Sequence, residues 1–280
     1  MSIKVITDSS ADIYPGEMED VIVIALNVEI DGKNYKDGVD ITKDDFYRLQ
    51  ESCEGFPMSS LASPLDFEDV YKELKANGDE AIVLPISSGL SSTLQSATIA
   101  AEDYDNISVL DSKQVTSSLK MLVLRTLQLI KSGLSRAEIV KILEKERDEV
   151  RVFAFADTLK YLEKGGRITK TAAVLGGIIG IKPILEMIDG KLLGVDKARG
   201  LKMAFRKLDE KIVAYGGINY DKPFVIGYSG IGDENMMSYV TGNPLIDAEN
   251  HGPLIFNQTG SAVGTHLGPG AVIVAFFSKD

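Results

Sequence analysis

Ala81-Ile82-Val83-Leu84-Pro85-Ile86-Ser87-Ser88-Gly89-Leu90-Ser91-Ser92-Thr93 carries an apolar strand into a hydroxyl-rich turn, and the turn opens a helix expected from Ser91 to about Asp103. An uninterrupted apolar run followed by a helix is the repeating unit of a parallel sheet layered with helices. A helix start leaves backbone N–H groups unpaired and carries partial positive charge, so it can seat a carboxylate or phosphate. Capping by Ser91 is the simpler reading and accounts for one serine. Ser87, Ser88, Ser91, Ser92 and Thr93 place five hydroxyls within seven residues, more than one cap requires. Cap and anion cradle both stand on this segment alone.

Outward from this stretch the alternation continues. Residues 3–7 and 21–30 read as strands, with Asp31-Gly32 as a hairpin turn before 33–35. Thr42 caps a helix to about Glu51, and Ser63-Pro64 opens another to about Asn77. Residues 107–110 form a second buried strand, followed by a helix over 117–132, a capping box at Ser135-Arg136-Ala137-Glu138 and a strand over 152–156. This predicts an α/β fold whose N-terminal domain, residues 1–156, is a mostly parallel α/β/α sheet. Beyond it glycine becomes frequent. Asp189-Gly190 marks a hairpin between 184–188 and 191–195, a helix covers 201–215, and strands follow at 224–228, 254–257 and 272–276. The second domain, 157–280, is therefore expected to be a mixed-sheet α/β unit. No Pro- or Ser-rich linker separates the two, so they should pack closely.

The chain has 280 residues, 44% of them hydrophobic, and a net charge of −11. That balance supports a folded core and speaks against nucleic acid and against anionic membrane surfaces. A small anionic ligand stays compatible, because a few local cations dominate at short range. Cys53 is the single cysteine, which excludes an intrachain disulfide and favours a reducing, cytoplasmic setting. No signal-peptide pattern precedes the first strand. The glycine-containing apolar run 172–181 is too short to span a bilayer, so no stable membrane insertion is expected, and it reads as a core helix or a tunnel wall.

Four further segments carry chemistry. Gly264-Thr265-His266-Leu267-Gly268-Pro269-Gly270 places one of only two histidines on what reads as a glycine loop before the last strand. Imidazole there can donate to an anion; His251, beside Gly252-Pro253, reads as exposed. Lys164-Gly165-Gly166-Arg167 is either a helix C-cap or a sharp turn that presents the planar fork of Arg167. Lys197-Ala198-Arg199 ends a strand before Gly200, as solvated surface or as the edge of a site. In Thr7-Asp8-Ser9-Ser10-Ala11-Asp12 the carboxylates either cap turns or bind metal. No Walker lysine motif and no G-x-G-x-x-G occurs. The order Ser91, Asp, His266 matches an α/β-hydrolase triad, but Thr93 stands where the nucleophile elbow needs glycine.

Together these segments resemble the DegV family of bacterial fatty-acid-binding proteins. The resemblance rests on Thr7 to Asp12, residues 86–97, Asp111-Ser112-Lys113, 159–168, 181–185 with Lys197 and Arg199, and 264–271, in order and at the right spacing. It implies two α/β domains with one long-chain fatty acid between them, the carboxylate at the domain interface and the tail in an apolar tunnel. It further implies a separate ATP-dependent fatty acid kinase as partner, with no metal or cofactor in this chain. Carried across by motif, Ser91 corresponds to the carboxylate-binding serine, His266 to the histidine before the Gly-Pro-Gly turn, and Ser59 and Ser60 to a carboxylate-touching Thr-Ser pair. Ser92 joins this set, and Arg167 and Arg199 correspond to arginines near the head group or the docked kinase. Three departures stand out: Ser59-Ser60-Leu61-Ala62-Ser63 replaces Thr-Ser-Gln-Pro-Ser, Ser92 replaces a glycine, and Thr116 to Lys120 lacks the usual glycines.

Overall fold

The structure, a computed structural model, describes residues 2–168, 180–246 and 254–279. His251 and residues 172–179 of the apolar run lie outside these.

Strands β1 (Ile3–Asp8), β2 (Val21–Ile24), β6 (Glu80–Leu84) and β7 (Ile107–Val109) form an all-parallel sheet in the order β2-β1-β6-β7. Its side chains alternate between two cores, as a strand's period of two requires. Val5, Ile82 and Leu84 face helices α4 (Thr116–Lys131) and α5 (Arg136–Glu146). Ile6, Ala81 and Val83 face α1 (Lys43–Ser52), α2 (Pro64–Asn77) and α3 (Thr93–Ala100). Burial on both faces explains why these strands read as unbroken apolar runs. Thr42, Ser63 and Ser135 cap α1, α2 and α5 as their sequences foretell.

A six-stranded mixed sheet runs β10-β9-β8-β13-β11-β12, built from β8 (Val150–Phe155), β9 (Ile181–Ile188), β10 (Lys191–Arg199), β11 (Val225–Tyr228), β12 (Ile255–Gln258) and β13 (Val272–Phe277). One face, with Phe153, Phe155, Val274 and Phe276, packs on α7 (Leu201–Ala214) and α8 (Glu234–Val240). The opposite face, with Val152, Ala154, Leu185 and Ile273, shares a core with α4 and the parallel sheet. Helix α4 therefore lies between the two sheets, and even Ser117, Ser118 and Lys120 at its start are buried.

Three elements differ from the sequence reading. The strand over 152–156, expected in the N-terminal domain, is β8 of the mixed sheet, paired antiparallel with β9 and β13. The run 21–30 is two strands: β2 stays in the parallel sheet, while β3 (Asn27–Ile30) pairs with β4 (Lys33–Lys36) and β5 (Met58–Ser60) in a small antiparallel sheet. The break falls where the Leu26 amide donates to Ser9 Oγ and leaves the ladder. The segment read as a glycine loop contains helix α9 (Ser261–Leu267), and His266 sits in its last turn. Gly264 belongs there for packing: a Cβ would come within 2.7 Å of the Phe46 ring.

Candidate functional site

The turn after β6 is organised by Ser87. Its carbonyl accepts from the amides of Leu90 (3.0 Å) and Ser91 (3.1 Å), and its hydroxyl donates to the carbonyl of Gly190 (2.7 Å). Gly190 is the tip of the β9–β10 hairpin, and Gly89 makes room for it: a Cβ at Gly89 would overlap the Gly190 oxygen. Ser91 Oγ lies 2.9 Å from Thr93 Oγ1, where either hydroxyl can donate, and accepts weakly from the Thr93 amide. The cap reading of Ser91 thus holds in part, while the formal N-cap of α3 is Ser92, whose side chain makes no cap bond.

His266 reaches out of α9 so that Nε2 lies 2.7 Å from Ser59 Oγ on β5. Its Nδ1 is buried without a hydrogen-bond partner, packed against Gly165, where any Cβ would strike the ring. Burial, aided by the nearby Arg167 cation, pushes the imidazole down to about 4. It is neutral at pH 7, with a single N–H. Gly166 closes α6 (Lys160–Gly165) in the left-handed conformation, φ +67°. Arg167 follows, exposed, with one guanidinium nitrogen donating to the Gly165 carbonyl (2.6 Å). The C-cap and the presented arginine, read as alternatives, are both present.

Ser59, Ser60, Ser91, Arg167 and His266 line one cavity, whose empty space, counting its open mouth, is about 870 Å³. The polar set gathers where Ser60, Leu61 and Arg167 are exposed. The remaining wall is mostly apolar and includes Val152, Ala154, Leu185, Met187, Leu192 and Ile273 from the mixed sheet. Registers fix their layout. Leu192 lies opposite Met187, and Ala154 lies between Leu185 and Ile273, so a small side chain floors a groove with larger ones beside it.

Two expected residues lie elsewhere. Ser92 is exposed and not part of the cavity wall. Arg199 is exposed at the far end of β10, seven residues from Leu192, roughly 23 Å along an extended strand. Ser10 and Thr116 line the cavity without having been foreseen. Thr116 holds φ +51°, a left-handed conformation unusual for a β-branched residue, while its hydroxyl donates to Asp12. The sequence signal at this position is the departure at Thr116 to Lys120, where glycines are usual.

The Asp8 to Asp12 segment resolves toward structure. Asp8 accepts from the Ile86 amide (2.7 Å) and from Ser10, and Asp12 accepts from the Gly260 amide (2.8 Å) and Asn257 (2.7 Å). Among the described residues no group of three or more His, Cys, Asp or Glu is arranged to hold a metal. No helix among them is long and apolar enough to cross a membrane. The hydrolase arrangement does not assemble. A triad needs the serine hydroxyl on the histidine and a carboxylate behind it. Ser91 is paired with Thr93 instead, His266 with Ser59, and Nδ1 faces Gly165 rather than an acid.

The chain is similar to known proteins along nearly its whole length. The family model described as "Uncharacterised protein, DegV family" matches residues 2–279. A DegV domain-containing protein of Caldanaerobacter subterraneus subsp. tengcongensis is 35% identical over 281 residues, 99% of each chain. Among solved structures, a fatty-acid-binding DegV family protein from Thermus thermophilus aligns with TM-score 0.87 and 28% identity over 99% of this chain and 100% of that one. A fatty acid binding DegV family protein from Streptococcus agalactiae aligns with TM-score 0.85 and 27% identity over 100% of both chains.

Proposed function

We propose that this chain, which belongs to the DegV family, binds one long-chain fatty acid, with the carboxylate among Ser59, Ser60, Ser91 and His266 and the tail along the mixed sheet. The observation that carries this reading is a cavity that brings Ser59, Ser60, Ser91, Arg167 and His266 together beside exposed residues, over a remaining wall that is mostly aliphatic. A carboxylate cannot be taken out of water without donors. A proton on Nε2 would let His266 donate to Ser59 Oγ and leave the Ser59 O–H for the ligand. A tail of ~14 methylenes gains on the order of 11 kcal/mol on burial, and immobilising the ligand consumes a comparable part. Tail fit then sets affinity, and the polar cluster sets orientation. The fatty acids bound by the Thermus and Streptococcus relatives support the ligand class.

The same geometry suits presentation to a separate, ATP-dependent kinase. A carboxylate held at the mouth beside exposed Arg167 is reachable from outside, while the tail is not. One carboxylate oxygen would attack the γ-phosphorus of ATP as the bond to the ADP oxygen breaks, giving an acyl phosphate and ADP. This chain supplies the oriented acid and Arg167; the nucleotide chemistry belongs to the partner.

Denaturing extraction followed by mass spectrometry tests the binding. The expected result is close to one fatty acid per chain, or uptake of added fatty acid to that level. A protein that carries none and takes up none overturns the reading. For presentation, Arg167→Ala should retain the bound acid yet lower acyl-phosphate formation by an added fatty acid kinase; unchanged turnover removes Arg167 from that role.

A further inference from the structure

We infer that Asp37 is a positioning residue for the carboxylate-binding pair Ser59–His266, acting through the start of α9; the inference rests on the fatty-acid reading above. Asp37 lies directly after β4 and is fully buried. Its Oδ1 accepts from the Ser261 amide (3.1 Å) and hydroxyl (2.6 Å), and its Oδ2 accepts from the Ala262 amide (3.2 Å). Both oxygens are thus committed to the first turn of the helix that carries Val263, His266 and Leu267 to the cavity.

The contacts close a ring. Asp37 extends β4, β4 pairs with β3, and β3 pairs with β5, where Val28 lies opposite Ser59. Ser59 meets His266, and His266 is five residues along α9 from Ser261, about 7.5 Å of helix rise. The Asp37 amide also donates to the Leu26 carbonyl, and Leu26 lines the cavity. Two side chains of α1 steady the middle of the ring: Tyr47 donates to the Thr259 carbonyl and Gln50 to that of Gly264. Among the described residues, Asp37 binds the first turn of α9 from beside the small sheet that holds Ser59, while Asp12 takes the amide of Gly260 just before it. A shift there is carried to His266 by a rigid helix and opens a gap at Ser59, which stays on β5. Asp37 touches neither Ser59 nor His266, so its carboxylate acts on that pair through the helix.

Asp37→Asn is the test, because asparagine keeps the volume and one acceptor but turns an N–H₂ toward the Ala262 N–H. Hexadecanoate and hexadecan-1-ol serve as probes that share a tail and differ in head. The expected result is hexadecanoate affinity about tenfold lower, alcohol affinity little changed, and the acid-specific loss absent when Asp37→Asn is made in a His266→Ala background. Equal losses for acid and alcohol, or a full loss that persists without His266, overturn the inference. If Asp37→Asn does not fold, Ser261→Ala removes one of the three bonds and should reproduce the acid-specific loss at a few-fold level; a loss shared by the alcohol again overturns it. Should the wild type bind neither probe, the fatty-acid reading fails on its own. Asp37 is then judged by the ¹⁵N signature of the His266 ring, which must change in Asp37→Asn, or in Ser261→Ala, and an unchanged ring overturns the inference.

Discussion

His266 is a neutral imidazole held at a cavity mouth, and its titration is measurable against only one other histidine. Its folded value of about 4 lies below the ordinary 6.5. Between these values the unfolded chain binds the extra proton, so stability rises with pH across the interval and is lost as pH falls from 6.5 toward 4. The full effect at the acid end is about 3 kcal/mol. Asp8 works in the opposite sense: burial pushes its carboxyl up to about 6, so its contribution declines as pH rises from 3.8 to 6. The comparison of wild type with His266→Gln isolates the histidine. Urea midpoints at pH 7 and pH 4.5 should differ more in the wild type than in the variant, and equal differences would show that His266 is not held neutral. Residues of this kind were partly legible in the sequence. Ser59, Ser91 and His266 stand in recognisable motifs, whereas Thr116 was marked only as part of a departure and lines the cavity with its backbone at φ +51°.

At the scale of elements, the β8–β9–β13 floor decides what the cavity accepts. Ala154 lies between Leu185 and Ile273, and on the proposed fatty-acid reading the shallow floor it leaves is where a tail would cross the sheet. Ala154→Leu is expected to preserve the fold while excluding sixteen- and eighteen-carbon acids in favour of shorter ones, read by mass spectrometry of the extracted ligand. An unchanged chain-length profile would place the tail elsewhere. Helix and hairpin boundaries were the most legible features, because Ser63, Ser135 and Asp189-Gly190 act through local chemistry. Helix α9 was not: Gly264 and Gly268 flank His266 and read as a loop, and the helix depends on remote groups, the Asp37 carboxylate and the α1 side chains. Likewise the break between β2 and β3 follows from Ser9, seventeen residues before the amide it takes.

Across the whole molecule the parallel sheet and the mixed sheet meet at buried polar contacts as well as at α4. Asp12, after β1, bonds the Gly260 amide, Asn257 and Thr116, and so ties the two sheets' surroundings together. Asp12→Ala strands these donors without water, and a loss of roughly 3 kcal/mol is expected by urea denaturation; a loss below about 1 kcal/mol would mean that the contact is dispensable. The bond from Ser87 to the tip of the β9–β10 hairpin is the other crossing point. Ser87 shapes the turn that presents Ser91, and the hairpin supplies Leu185, Met187 and Leu192 to the tail wall. With Gly89 and Gly190 already in contact, neither side has slack to absorb a displacement of the other. If the chain binds a fatty acid as proposed, acyl-chain preference and head-group grip are not separate dials, and a variant selected for a bulkier tail would carry its mark at the acid end.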